Sequence, residues 1–239
     1  MKQNKRTLWQ GLAALLLVLT LLLSPVSAQG LGAGTHQYEN EVQLMDNLTL
    51  GNVISYTDKG RQEGYYLELE PGGDVYPIVL ACDTIYGGMT ATAVAEYAER
   101  QGYQVVAAIN TDFFIVSNHV PVGLVIEDGI YKSSSEGRNA ILIDEKGRAS
   151  LLEKANITIE LEIKGEDEVF TVQHLNKTRN DSNGLYLFSD AFSTVSTRTS
   201  TPGWFVVFEI QKGELTPEGS MTLEVVDKLT SSDAVPLSE

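Results

Sequence analysis

Four turn dipeptides, Asp128-Gly129, Lys146-Gly147, Lys164-Gly165 and Lys212-Gly213, divide the second half of this chain into short runs of alternating apolar and polar residues. Alternation with period two puts every second side chain on one face, so Ile157 to Ile163 and Phe205 to Ile210 read as half-buried strands. Asp-Gly suits a two-residue hairpin because both central positions of a type I′ turn need positive φ. A succession of such hairpins implies a largely antiparallel system. The expected class is therefore α+β: mostly antiparallel β-hairpins, with at least one helix packed on the sheet.

That helix is expected over Thr90 to Gln101. Thr90 can cap it, Ala91, Val94, Ala95 and Ala98 share one face, and Gly102 stands just past its end. Its small face is expected to lie on a sheet containing Val105 to Ile109. Further strands are expected over Tyr65 to Glu70, ending at Pro71-Gly72-Gly73, then over Val75 to Cys82, Gly123 to Glu127, Ala140 to Asp144 and Met221 to Lys228.

The first 28 residues read as an export signal. Lys2, Lys5 and Arg6 form a basic flank, Leu12 to Leu23 an apolar core, and Val26-Ser27-Ala28 a small-residue cleavage site. The competing reading is an uncleaved membrane anchor; the apolar core falls short of the ~20 residues that span a bilayer. Either way the chain is exported, to the exterior or the cell envelope. Residues 29–45 have little periodicity and read as a flexible tether. Residues 46–239 carry the globular pattern, and 43% hydrophobic residues are enough for a real core.

Loss of residues 1–28 removes three basic residues and no acidic one, taking the net charge from −15 to −18. Such a surface repels nucleic acid and anionic lipid, and excludes binding of either through charge. Membrane association is left only to an uncleaved signal segment. Cys82 is the single cysteine, which excludes an internal disulfide and a cysteine-based zinc site. It lies in an apolar run and reads as a buried, inert thiol. No metal-ligand spacing links the His, Asp and Glu residues, so no metal is indicated and the cofactor is unknown. Gly87-Gly88 lacks the spacing of a phosphate-binding loop.

Candidate chemistry concentrates in residues 105–129, VVAAINTDFFIVSNHVPVGLVIEDG. An apolar run enters Asn110-Thr111-Asp112 and then the pair Phe113-Phe114, so a polar tripeptide stands at a strand end between apolar anchors. Asn110 offers donors and an acceptor for sugar hydroxyls or phosphate oxygens, and Asp112 can bind a hydroxyl or move a proton. Equally, both can cap a strand end through local Asx turns. His119 follows in the same loop. Arg138 precedes the strand Ala140 to Asp144 and could meet a phosphate or make a surface ion pair. Arg179 and Arg198 offer the same group, but no spacing singles out either.

The block AINTDFF followed by P-x-G-L-V-I-x-D-G resembles the phosphodiester glycosidase family, the domain of the uncovering enzyme and of bacterial exported proteins linked to exopolysaccharide biosynthesis. TATAVAEYAERQG, GRNAILIDEKGRA and, more loosely, NKTRNDSNGLYLFSDAFSTVSTRTSTPGWFVVFE resemble other stretches of it. The resemblance implies hydrolysis of a sugar-1-phosphodiester to a free sugar and a phosphomonoester. It implies Asp112 as the catalytic residue, with Asn110, Thr111, His119 and Arg138 contacting a carbohydrate or glycosyl-phosphate substrate. The family's Asp-Gly-Gly-Gly-Ser signature has no counterpart here. Residues 46–239 are accordingly expected to be the N-terminal part of that domain, inactive by themselves. The alternative is a non-catalytic glycan-binding or envelope-associated module, since fold does not dictate function.

Overall fold

The computed structural model describes residues 34–135, 137–199, 201–231 and 233–237. The export signal lies outside them. The chain divides into two compact units at Leu69/Glu70, where the sequence had suggested a single domain from residue 46.

The first unit is a three-stranded antiparallel meander of β1 (Thr35–Met45), β2 (Leu48–Thr57) and β3 (Gly60–Leu69), in that order. Most of the expected tether is thus a strand. Thr35 to Met45 is polar and exposed along most of its length, so no apolar pattern betrays it, and its backbone pairing to β2 holds it in place. In the middle of the sheet Tyr66 lies across Gly51, where a Cβ would collide with its ring. The hydroxyl sits 2.7 Å from a carboxylate oxygen of both Glu39 and Glu41, tying β3 to β1 across the glycine.

The second unit is mostly β, with antiparallel hairpins and, among the described residues, one helix. The hairpins pair β4 (Val125–Glu127) with β5 (Ile130–Ser133), β6 (Arg138–Ile143) with β7 (Ala149–Ala155), β8 (Ile159–Glu162) with β9 (Val169–Val172), and β12 (Gly203–Gly213) with β13 (Met221–Ser231). Each expected turn dipeptide lies at one of their ends. Asp128 and Gly129 have φ of 49° and 80°, the positive pair that a type I′ turn requires. The short pair β10 (His174–Leu175) and β11 (Tyr186–Leu187) runs parallel, unlike the rest.

Helix α1 spans Ala91–Arg100, with Thr90 Oγ1 accepting from the Ala93 amide at 3.2 Å. Gly102 (φ 96°) donates to Glu99 O and Tyr103 to Ala98 O, the double bond of a Schellman stop. Ala98 is its buried residue; Val94 and Ala95 are half-buried.

Two expected strands do not form. Val105 to Ile109 has no backbone pairing among the described residues, and Ile109 is 64% exposed. A buried strand needs neighbours on its edges, whereas each ladder in this unit joins only two strands. The helix therefore has no strand there to pack on. Val75 to Cys82 is likewise irregular, although Cys82 is buried as expected.

The apolar core is small. Ile85, Val120 and Phe192 are buried together, with Tyr86 and Phe188 edge-on to Phe192 at 5.5 and 5.0 Å. Amides of Ile85 and Tyr86 donate to Ala191 O and Phe192 O at 2.9 and 3.1 Å, so the cluster is also stitched through backbone. Around it lie buried polar side chains: Ser133 to Ser135, Asn176, Arg179, Ser193, Ser196, Thr197 and Thr199.

Candidate functional site

Residues 112–123 close on themselves. Phe114 faces Pro121 as an isolated antiparallel bridge, the Val122 amide donates to Phe113 O at 2.8 Å, and the Ile115 amide donates to Val120 O at 3.0 Å. The clasp is Asp112, whose Oδ2 accepts the Gly123 amide at 2.7 Å. Its carboxylate lies so close over Gly123 that a Cβ there would sit 2.9 Å from either oxygen. Only a glycine admits the carboxylate in this position.

The segment Asn176-Lys177-Thr178-Arg179, just after β10, fixes this loop from outside. Lys177 Nζ donates to Pro121 O at 2.6 Å, to Gly123 O at 3.2 Å and to Val122 O at 3.3 Å. Asn118 Nδ2 donates to Thr178 Oγ1 at 2.8 Å, while Asn118 Oδ1 takes the Val120 amide at 3.0 Å. Asn176 anchors the segment itself, donating from Nδ2 to Lys132 O and Ser189 Oγ and accepting the Ser189 amide, each at 2.9 Å. In the sequence Asn176, Lys177 and Thr178 lie within a loose resemblance that singles none of them out, and Arg179 stands as one of several arginines able to meet a phosphate. The available signal was a dense polar run directly behind the apolar Leu175.

The expected site residues divide. Asn110 and Thr111 are exposed beside Asp112, and no side-chain bond occupies them among the described residues. His119 belongs to the loop, but at φ 60° its imidazole packs beside the Phe114 ring, centroids 5.4 Å apart. Arg138 does not join them. It stands exposed at the start of β6, its amide bonded to Ser135 Oγ, with no bond to the loop. Phe113 and Phe114 are not the expected core anchors, since Phe113 is 79% exposed and Phe114 half so. With no strand behind them, the rings have no sheet face to enter.

One carboxylate oxygen bonded to an amide and the other uncommitted is an arrangement that orients Asp112 and leaves it able to accept a hydroxyl proton or bond. Asn110 and Thr111 add an amide and a hydroxyl beside it. The set suits a hydroxyl-rich ligand.

A second cleft, of about 670 Å³, is lined by Cys82, Asp83, Tyr97, Glu127, Lys132 and Asp190 among others, and by none of the loop residues. Burial pushes the Glu127 carboxyl above its ordinary range, despite an Ala81 amide at 3.1 Å and Lys132 Nζ at 3.9 Å. The Tyr97 hydroxyl donates to Asp83 at 2.8 Å, a bond that pushes its pKa up to about 12. Burial also raises the Cys82 thiol, away from the thiolate form. Among the described residues no three His, Cys, Asp or Glu side chains are placed to hold a metal. No protein-family model, no curated protein and no solved structure matches this chain.

Proposed function

We propose that the chain is an exported hydrolase-like domain resembling the phosphodiester glycosidases, acting on a sugar-1-phosphodiester outside the cytoplasm or in the cell envelope. The observation that carries this reading is the Asp112 clasp. A carboxylate is oriented by one backbone amide, in a loop immobilised by Lys177 and Asn118, with Asn110 and Thr111 displayed beside it. In this reading water adds at the anomeric carbon as the bond to the phosphate oxygen breaks, giving a free sugar and a phosphomonoester. The free oxygen of Asp112 holds or takes a proton from a hydroxyl at that centre, while Asn110 and Thr111 bind the sugar or phosphate oxygens. His119, exposed in the same loop beside the Phe114 ring, stays a candidate contact, whereas Arg138 makes no bond to the loop among the described residues. The finer fold class belongs to the same proposal: α+β, with a helix packed on the sheet.

A second reading, a glycan-binding or envelope-associated module without catalysis, draws support from the exposed Phe113 ring beside the polar tripeptide. Exposed aromatic faces next to amide and hydroxyl groups bind sugar rings without any chemistry.

Assay of the exported full-length protein on a sugar-1-phosphodiester separates the two. Asn110→Ala and Asp112→Ala are each expected to lower phosphomonoester release by tenfold or more, ~1.4 kcal/mol per factor of ten. Sugar binding without turnover supports the module instead. Full activity in both variants makes Asp112 a loop clasp and nothing more.

A further inference from the structure

Arg179 is 8% exposed, and its Nε and Nη2 are shielded from solvent and donate to no acceptor among the described residues. Among the described residues only Nη1 makes a hydrogen bond, to Pro202 O at 3.0 Å. No Asp or Glu among the described residues forms an ion pair with it. The guanidinium is nonetheless held in place. Its carbon lies 5.2 Å from the centroid of the Phe205 ring, and the Arg179 carbonyl accepts from Thr199 Oγ1 at 3.1 Å and Thr201 Oγ1 at 3.4 Å. Gly203 lies directly against the group, where a Cβ would collide with Nη1.

A buried cation with one carbonyl acceptor and one ring face carries a desolvation penalty that these two contacts offset only in part. The fork is rigid and planar, and its Nε–Nη2 edge matches the spacing of two carboxylate oxygens. The same arginine lines a cavity of about 1380 Å³ whose walls include Leu175, Tyr186, Phe188, Phe205 and Val207. Besides its apolar residues the wall carries Lys132 and the carboxylates Asp190, Glu209 and Glu214, so the unpartnered edge of this guanidinium suits an apolar body with a single negative head. Asp190 on the same wall and a net charge of −15 disfavour a doubly charged one.

We propose that Arg179 anchors a binding site for a monoanionic amphiphile, a carboxylate on an apolar tail, with its two oxygens on Nε and Nη2. The tail lies along Tyr186, Phe188 and Phe205. Entry displaces Pro202 to Trp204, a strand start whose exposed ends include Trp204 at 91%. The site stands apart from the hydrolase reading, because neither Asn110 nor Asp112 lines this cavity.

Calorimetric titration of the full chain with decanoate tests it, with decanol, decyl phosphate and acetate as comparisons. The expected result is one decanoate per chain, bound at least tenfold more tightly than decanol or decyl phosphate, with no measurable acetate binding. Arg179→Lys keeps the charge but loses the fork; it is expected to weaken decanoate tenfold or more and leave decanol unchanged. Equal affinity for decanoate and decanol in the natural chain overturns the proposal without any variant. So does tighter binding of decyl phosphate, which assigns the arginine to a phosphoryl head, and so does undiminished decanoate binding in Arg179→Lys. Failure to bind decanoate in a chain that dimerises with concentration gives the cavity to a second copy and also overturns it.

Discussion

Asn176 is the residue on which most of the candidate site's order depends. It is fully buried, its side chain makes three hydrogen bonds, and its φ of 52° is one that asparagine tolerates better than most residues. Asn176→Ala strands the Lys132 carbonyl and the Ser189 amide in the interior and leaves an alanine in a left-handed conformation. A loss of about 2–4 kcal/mol is expected in urea denaturation; a loss below ~1 kcal/mol would mean that water reaches both groups. Glu127 makes a different prediction. Because burial raises its folded-state pKa, the native state keeps a proton that the unfolded chain has already released. Its contribution to stability is full below the ordinary carboxylate value and is lost as pH rises through the raised one. Glu127→Gln abolishes the titration, so its stability relative to the natural chain should climb as pH rises above the ordinary carboxylate value of about 4. Parallel curves from urea midpoints above that value would show the carboxyl to be hydrated.

At the level of elements, hairpins and helix were legible because their determinants are local. Asp128-Gly129 encodes its own turn, and Thr90 with Gly102 encodes both ends of α1. The helix's packing was less legible. Four small residues shared the expected face, but only Ala98 is fully enclosed. Ala98→Leu should therefore cost about 1–3 kcal/mol through overpacking, and Ala95→Leu clearly less. Thermal melts of the two variants check the order, and equal melting points would place Ala98 at the surface. Val105 to Ile109 failed as a strand for the opposite reason. Its apolar content is local, but the partner it needs is not. β1 failed in reverse, since a polar edge strand carries no apolar signal and is held by the backbone of β2.

For the whole molecule, charge outweighs any single ion pair. Four ion pairs occur among the described residues, and those of Glu39, Arg61 and Arg148 are largely exposed. Against them stands a net charge of −15. Exposed pairs contribute about 0–1 kcal/mol each, so repulsion among surplus carboxylates dominates. Raising sodium chloride from about 10 mM to about 150 mM shrinks the Debye length from ~30 to ~8 Å and should raise the melting temperature. A lower melting temperature at the higher salt would mean that the pairs win.

The sequence by itself determined the hairpin grammar, the capped helix, the acidity and the Asn110 to Asp112 loop as the place to look for chemistry. Each is written in residues close together in the chain, where turn φ angles, capping hydroxyls and period-two alternation act directly. Only the tertiary structure decided that Gly123 holds Asp112, that Lys177 and Thr178 grip a loop more than fifty residues away, and that Arg138 stays apart. It alone left Arg179 buried, with Nε and Nη2 unpartnered among the described residues, beside a largely apolar cavity. These facts depend on which distant segments meet, and a polar side chain's partner, unlike its secondary-structure preference, is not a property of its neighbours in sequence.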